Sequence, residues 1–96
     1  MGFDEFKKSL SGPNPPQDLS VYLLSLWYDA KGNWTRAHDI IDDVEDKNGC
    51  WVHAYLHRKE GDIGNADYWY RKAGKQPPQT SLDDEWNFIA RELTSE

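Results

Sequence analysis

The second half of this chain repeats the pattern of the first half at an offset of 29 residues. The offset superposes Gly32 on Gly61 and Ala37 on Ala66. Each copy reads as an apolar helix, a glycine turn and a second apolar helix with a small residue near its start. A repeat of this length is typical of stacked helical hairpins, in which each unit buries its apolar face against its neighbours. We therefore expect both alanines to be buried where helices approach closely.

Length, composition and charge exclude several classes of protein. The 96 residues suit one domain, residues 1–96, with a modest core. Because 38% of the residues are hydrophobic and 29% are charged, the composition is that of a folded globular protein and not of a disordered one. The longest nearly apolar run, residues 21–28, is too short to cross a bilayer. The net charge of −6 disfavours nucleic acid as a partner.

The first residues and the single cysteine favour a cytoplasmic location. Residues 1–6 are acidic and lack the basic and then apolar pattern of a signal peptide. Cys50 is the only cysteine, so no internal disulfide framework is available. A catalytic role for Cys50, with His53 one turn further on, is the alternative to a packing role. We expect packing, because the sequence offers no further group to orient such a pair.

Charge is distributed unevenly along the chain. Residues 1–46 carry four basic and nine acidic groups, and residues 79–96 carry one basic and five acidic groups. Between them, residues 47–78 carry six basic and three acidic groups. We expect these segments to complement one another within the fold. For the acidic run in the first hairpin, the offset predicts ion pairs from Asp42 and Asp43 to Arg71 and Lys72, with docking of a basic partner as the alternative.

Helical periodicity predicts an all-α fold of two stacked hairpins closed by terminal helices. The predicted segments are an N-terminal helix within residues 1–12, a first hairpin at 18–46, a second hairpin at 50–75 and a C-terminal capping helix at 81–94.

Single residues predict where these helices begin and end. Gly32 and Gly61 are predicted to end the first helix of each hairpin, and the next residue in each case to cap the second helix. Asp18 is a candidate cap for the first hairpin. Asn48-Gly49 is predicted to form the turn between the hairpins.

The repeat resembles a known family of helical repeats. The first copy reads Val21-x-x-Leu24-Ser25-x-x-Tyr28-x-x-x-Gly32-x-Trp34-x-x-Ala37-x-x-x-Ile41-x-x-Val44. This pattern resembles a tetratricopeptide repeat. The second copy contains Ala66-Asp67-Tyr68-Trp69-Tyr70-Arg71-Lys72-Ala73, which resembles the Sel-one-like relatives of that family. The resemblance implies a non-enzymatic module, without a cofactor, that binds a protein or peptide.

The resemblance also implies a binding face. Tetratricopeptide-like repeats bind extended peptides with one face of their first helices. Carried over to this chain, that face consists of Tyr22, Leu26, Asp29, Trp51, Tyr55, Arg58 and Lys59. The basic middle segment favours an acidic peptide, with Arg58 and Lys59 as its anchors. Two alternatives remain open: the terminal helices fill this face, or an exposed aromatic surface forms a homodimer.

Two histidines form the candidate site of a different class of function. His53 and His57 lie four residues apart on one predicted helix, a spacing that lets both bind one metal ion. A third ligand would come from the neighbouring helix, at His38, Asp39 or Asp42. Because Ala54 occupies the place where the metalloprotease pattern requires Glu, we expect His53 and His57 to be packing residues that do not jointly bind zinc. A small metal-binding protein or metal-dependent hydrolase is the alternative function.

Overall fold

Six α-helices make up the regular secondary structure of residues 1–95, the part of the chain that the computed structural model describes. They are α1 (Phe3–Ser9), α2 (Val21–Ala30), α3 (Trp34–Ile41), α4 (Lys47–Lys59), α5 (Ile63–Ala73) and α6 (Leu82–Thr94). Residues 1–95 contain no β-strand, so the predicted all-α class is confirmed. None of these helices combines the length and apolar character that a membrane span requires.

The helices form two hairpins and two terminal helices around one core. Helix α2 packs against α3, and α4 packs against α5. Helix α4 lies at the centre, because it also contacts α2, α3 and α6. Its residues from Gly49 to His57 are all buried. Helix α6 lies across α2 and α4, and α1 packs on α6.

The two hairpin turns share one backbone geometry. Gly32 and Gly61 have φ angles of 84° and 89°, in the left-handed region that glycine adopts without strain. At the next residue, the backbone N–H of Asn33 and of Asp62 donates to the carbonyl oxygen five residues earlier, at 2.9 and 3.0 Å. The same two side chains then cap α3 and α5. The offset of 29 residues therefore marks two copies of the same turn.

The small residue near the start of each second helix is buried, as predicted. Ala37 is 0% exposed and Ala66 is 1% exposed. The Ser25 hydroxyl on α2 donates to the carbonyl oxygen of Ala37 at 2.8 Å, which ties the two helices of the first hairpin together. A larger side chain at either alanine would force neighbouring helices apart.

The start of α2 and the end of α3 differ from the prediction. Ser20 caps α2, because its hydroxyl accepts from the Leu23 N–H, whereas Asp18 lies two residues earlier with a φ of 65°. Aspartate tolerates this left-handed conformation better than most side chains. Asp18 therefore belongs to the connector between α1 and α2 and does not cap α2. Helix α3 ends at Ile41, five residues before the predicted end at position 46.

The predicted turn at Asn48-Gly49 is wrong, because both residues lie inside α4. The helix begins one turn earlier, where the Asp46 carboxylate accepts from the Gly49 N–H at 2.8 Å. Gly49 is required here by a close approach of the backbone. A Cβ at position 49 would lie 2.3 Å from the carbonyl oxygen of Val44.

Substitution of Gly49 by alanine should destabilise the protein although alanine is the better helix former. The propensity gain of up to about 1 kcal/mol is outweighed by the clash with Val44, so we expect a net loss of about 1–3 kcal/mol in the free energy of unfolding. Gly64→Ala on α5 is the control, because nothing lies within 4 Å of a Cβ at that position. Urea denaturation measures both effects. Equal stabilisation by the two substitutions would show that the Val44 backbone yields.

Candidate functional site

Helix α6 covers the inner part of the binding face that the sequence predicts. Leu26 is 0% exposed and Tyr55 is 2% exposed. The indole N–H of Trp86 on α6 donates to the carbonyl oxygen of Leu26 at 3.0 Å, which fixes α6 on α2. A peptide could contact Leu26 only by displacing α6, whereas Tyr55 borders a small cleft beside α6. The alternative in which a terminal helix fills the face therefore describes this part of the structure.

Lys59 is used inside the protein. Its ammonium group lies 3.0 Å from the Asp29 carboxylate, which is 2% exposed. The Tyr55 hydroxyl donates to the other carboxylate oxygen of Asp29, also at 3.0 Å. Burial, together with the nearby Asp29 charge, raises the pKa of Tyr55 far above its usual range, so this hydroxyl stays protonated.

Arg58 has an equivalent role toward α6. Its guanidinium group donates to the Glu85 carboxylate at 2.8 Å and to the carbonyl oxygen of Thr80. The Tyr70 hydroxyl donates to the second oxygen of Glu85, which is 3% exposed. Burial and this hydrogen bond raise the pKa of Tyr70 far above its usual range.

These two ion pairs show that the charged segments of the chain complement one another, as predicted. Asp29 comes from the acidic first segment and Glu85 from the acidic last segment, and both pair with the basic middle segment. Glu85 was not singled out from the sequence. A signal was present, because Glu85 lies four residues before Ile89 on the inward stripe of the last helix.

Trp51, at the outer end of the predicted face, is 5% exposed and borders a cleft. The cleft has a volume of about 480 Å³ and lies between the end of α5, the connector that follows it and α6. Trp51 forms its floor, with the ring of Phe88 edge-on at 5.9 Å. The Lys75 ammonium lies 4.1 Å from the centre of the Trp51 ring, and Pro78 lines one side. Phe88 is 55% exposed, so an apolar ring borders this opening.

Tyr22, at the other end of the predicted face, is half-buried at the start of α2. Its hydroxyl donates to the carboxylate of Asp46, the residue that caps α4. The structure therefore does not bring Tyr22 to the cleft beside Trp51. The seven residues of the predicted face are therefore divided: some lie in the core or in internal ion pairs, Tyr22 contacts Asp46, and Trp51 borders this cleft. A second cleft, of about 340 Å³, borders Asp29, Tyr55 and Lys59.

A second cluster of functional groups lies between the hairpins. His38 and Asp42 come from α3 and the residue that follows it, and His53 and His57 come from α4. The Nε2 atoms of His38 and His53 lie 3.1 Å apart. The Asp42 carboxylate lies 3.8 Å from His38 Nε2 and 3.9 Å from His53 Nε2. Two of the three candidate ligands on the neighbouring helix therefore reach the histidines, and Asp39 is exposed on α3.

Two tryptophans enclose the histidine rings. Trp69 stacks on His53 with ring centres 4.0 Å apart, and Trp34 stacks on His38 at 5.0 Å. Burial, reinforced by the neighbouring histidines, lowers the pKa of His53 to about 4, so its ring is neutral at pH 7. Within residues 1–95, His53 Nδ1 is a buried side-chain nitrogen that has no hydrogen-bond partner.

The third ring is oriented by a carboxylate. His57 Nδ1 lies 2.7 Å from a Glu60 oxygen, and His57 Nε2 lies 3.4 Å from the Asn65 amide nitrogen. Because a carboxylate only accepts, the short contact assigns the His57 proton to Nδ1. In a neutral ring with this tautomer, His57 Nε2 carries the lone pair that a metal ion would bind.

Cys50 has the packing role expected of it. The side chain is 1% exposed, and burial raises the pKa of its thiol. A thiol in this environment stays protonated and is a poor nucleophile. The structure therefore offers nothing in favour of a catalytic cysteine at this position.

The predicted pairing of Asp42 and Asp43 with Arg71 and Lys72 is wrong. No ion pair within 4.0 Å joins these residues in the part of the chain that is described. Asp42 faces the histidines, and the Lys72 ammonium lies over the rings of Trp69 and Tyr68. Asp42 lies four residues after His38 and keeps a helical conformation, so its carboxylate lies on the same side of α3 as the His38 ring.

No family model matches this chain, and no curated protein or solved structure was found to be similar to it. The resemblance to tetratricopeptide repeats therefore remains a prediction from the residues. The all-α fold, the cleft beside Trp51 and the histidine cluster are described from the structure of this chain alone.

Removal of the Glu85 charge should loosen α6. In Glu85→Gln, Arg58 and Tyr70 lose the carboxylate to which both donate, so we expect a loss of about 1.5–3 kcal/mol in the free energy of unfolding. Glu92→Gln is the matched control, because Glu92 is exposed on the same helix and should change stability by less than about 0.5 kcal/mol. Thermal and urea unfolding measure both variants. Equal stability of the two would mean that the Arg58–Glu85 pair does not hold α6.

Proposed function

We propose that this protein is a non-enzymatic helical-repeat module that binds an acidic peptide segment of a protein partner in the cytoplasm. The observation that carries the proposal is the open cleft beside Trp51. Cavities of about 300–1,000 Å³ that combine apolar walls with a few charged groups are typical of ligand sites. The cleft of about 480 Å³ falls in this range. Its aromatic floor suits an apolar side chain of the partner.

The charge around the cleft selects the chemistry of the partner. Lys75 lies over Trp51 and lines the cleft together with two acidic residues, Asp84 and Glu85, of which Glu85 is already paired with Arg58. Unlike Arg58 and Lys59, which already pair with buried carboxylates, Lys75 faces the opening and can pair with a carboxylate of the ligand. The sequence predicted that Arg58 and Lys59 bind the acidic peptide. In this proposal Lys75 is the basic residue that pairs with it.

Phe88 contributes an exposed apolar surface to the cleft. An aromatic ring that is more than half exposed, next to a second aromatic ring and a proline, would be covered by a bound partner. Aromatic residues of this kind anchor interfaces. A partner segment with one large apolar residue beside Asp or Glu residues would satisfy both the rings and Lys75.

Binding is tested with a matched pair of fluorescent peptides, one with Phe flanked by Glu residues and one with Phe flanked by Lys residues. We expect saturable binding of the acidic peptide, measured by fluorescence anisotropy, with weaker binding of the basic one. Phe88→Ala should weaken the affinity by about tenfold or more. Tyr68→Ala is the control, because Tyr68 is 49% exposed but lies outside the cleft, and it should leave binding unchanged.

The charge preference and the homodimer alternative need separate measurements. Lys75→Glu should reverse the preference for the acidic peptide while the fold, followed by circular dichroism, is retained. Sedimentation measures the solution mass of the native chain and of Phe88→Ala. A native dimer that becomes monomeric in Phe88→Ala would identify the partner as a second copy of this chain and contradict the peptide proposal. Failure of both peptides to bind a monomeric native protein would also contradict it.

A further inference from the structure

Three imidazole rings and one carboxylate converge at the contact between the two hairpins. One ring nitrogen from each of His38, His53 and His57 lies within 4.8 Å of a ring nitrogen of each of the others. Asp42 completes the group at 3.8 and 3.9 Å from two of these nitrogens. His53 and His57 are buried, whereas the Asp42 side chain is 56% exposed. The group is therefore a polar cluster that is buried at His53 and His57 and exposed to solvent at Asp42.

We propose that His38, His53, His57 and Asp42 bind one zinc ion. Neutral imidazole nitrogen and carboxylate oxygen are among the ligands that zinc takes in proteins, and four ligands match its tetrahedral preference. This proposal reverses the expectation that His53 and His57 are packing residues only. The reason is that the fold supplies His38 and Asp42, which the spacing of the first two histidines alone could not establish.

Two of the ligand nitrogens already lie at the spacing of a tetrahedral site. Zinc–nitrogen bonds of about 2.0–2.1 Å in a tetrahedron place ligand atoms roughly 3.3 Å apart. The nitrogens of His38 and His53 lie 3.1 Å apart, near this value. A His57 nitrogen lies within 4.8 Å of both, and the Asp42 oxygen lies 3.8 and 3.9 Å from His38 and His53. Zinc binding therefore requires His57 and Asp42 to move inward, which the solvent-exposed Asp42 side chain does without disturbing the core.

Groups around the rings hold them in the orientation that a metal requires. Glu60 accepts from His57 Nδ1, so Nε2 is the ligand atom of that ring, and zinc would replace its 3.4 Å contact with the Asn65 amide nitrogen. A carboxylate on the distal nitrogen is the usual support of a zinc-bound histidine. His53 Nδ1 has no partner, so any polar interaction of that ring is made through Nε2, which faces His38 and Asp42. The stacked Trp34 and Trp69 rings limit rotation of His38 and His53.

A zinc ion at this position would crosslink the hairpins. His38 and Asp42 belong to the first hairpin, and His53 and His57 belong to the second. The role proposed is structural and not catalytic, because Ala54 supplies no general base beside His53. The bound ion would take the place of a weak contact between imidazole nitrogens and add a link between α3 and α4.

The experiment uses the full chain stripped of metal with chelator. Zinc chloride is titrated by calorimetry, and cobalt(II) chloride is titrated as a visible probe of the same site. We expect one equivalent of zinc to bind, the cobalt complex to give the intense visible absorption of tetrahedral coordination, and zinc to displace it. Because an ion that binds only the folded state stabilises it, the melting temperature should rise with zinc and fall again with chelator.

Variants that leave the fold intact identify the ligands. Asp42→Asn should weaken zinc affinity by about tenfold or more, and Glu60→Gln, which acts through His57, by about 10–100-fold. Asp43→Asn is the matched control, because it removes the same charge from an exposed neighbour. His38→Gln should abolish the cobalt absorption while circular dichroism shows that the helices are retained. Unchanged zinc affinity in both Asp42→Asn and His38→Gln, or absence of saturable zinc binding by the native chain, would overturn the proposal.

Discussion

The arrangement of this molecule depends on two buried carboxylates that are held by consecutive basic residues. Asp29 on α2 pairs with Lys59, and Glu85 on α6 pairs with Arg58. An ionised carboxylate is costly to bury unless it is paired and hydrogen-bonded, and a tyrosine hydroxyl supplies the additional hydrogen bond in each case. Arg58 and Lys59 also lie in the last turn of α4, where a positive charge interacts favourably with the helix dipole. The C-terminal end of α4 therefore holds both α2, through Asp29, and α6, through Glu85.

The same interactions determine which surface remains open. Because Arg58 holds Glu85, the first turns of α6 lie over the middle of the face formed by α2 and α4. The face is then closed above Leu26, and openings remain beside Trp51 and beside Tyr55 and Lys59. Helix α6 covers one part of the groove and also forms a wall of the cleft beside Trp51, because Phe88 belongs to α6. The cleft is thus a product of the capping helix and is not a remnant of an unfilled repeat.

Local features of this fold could be predicted from the sequence, and non-local ones could not. Gly32 and Gly61 indicated both hairpin turns, because a left-handed residue followed by a capping side chain is a local requirement. The turn predicted at Asn48-Gly49 is wrong, because Gly49 lies inside α4, where the absence of a side chain allows the close approach of Val44. The position of α6 depends on Glu85 meeting Arg58, residues that are 27 positions apart. Periodicity places Glu85 on the inward side of α6, but nothing in the sequence indicates that Arg58 is the residue it meets there.

The histidine cluster shows the same division between local and non-local information. Spacing along α4 placed His53 and His57 on one side of a helix, and this requires only the helix period. His38 and Asp42 come together in the same way, because they are four residues apart and Asp42 keeps a helical conformation at the end of α3, with φ −56° and ψ −37°. The helix period does not give the approach of α3 to α4, which brings the Nε2 atoms of His38 and His53 to 3.1 Å from each other. The sequence can therefore predict each pair within its own helix, whereas the packing of the two hairpins joins the pairs into one cluster.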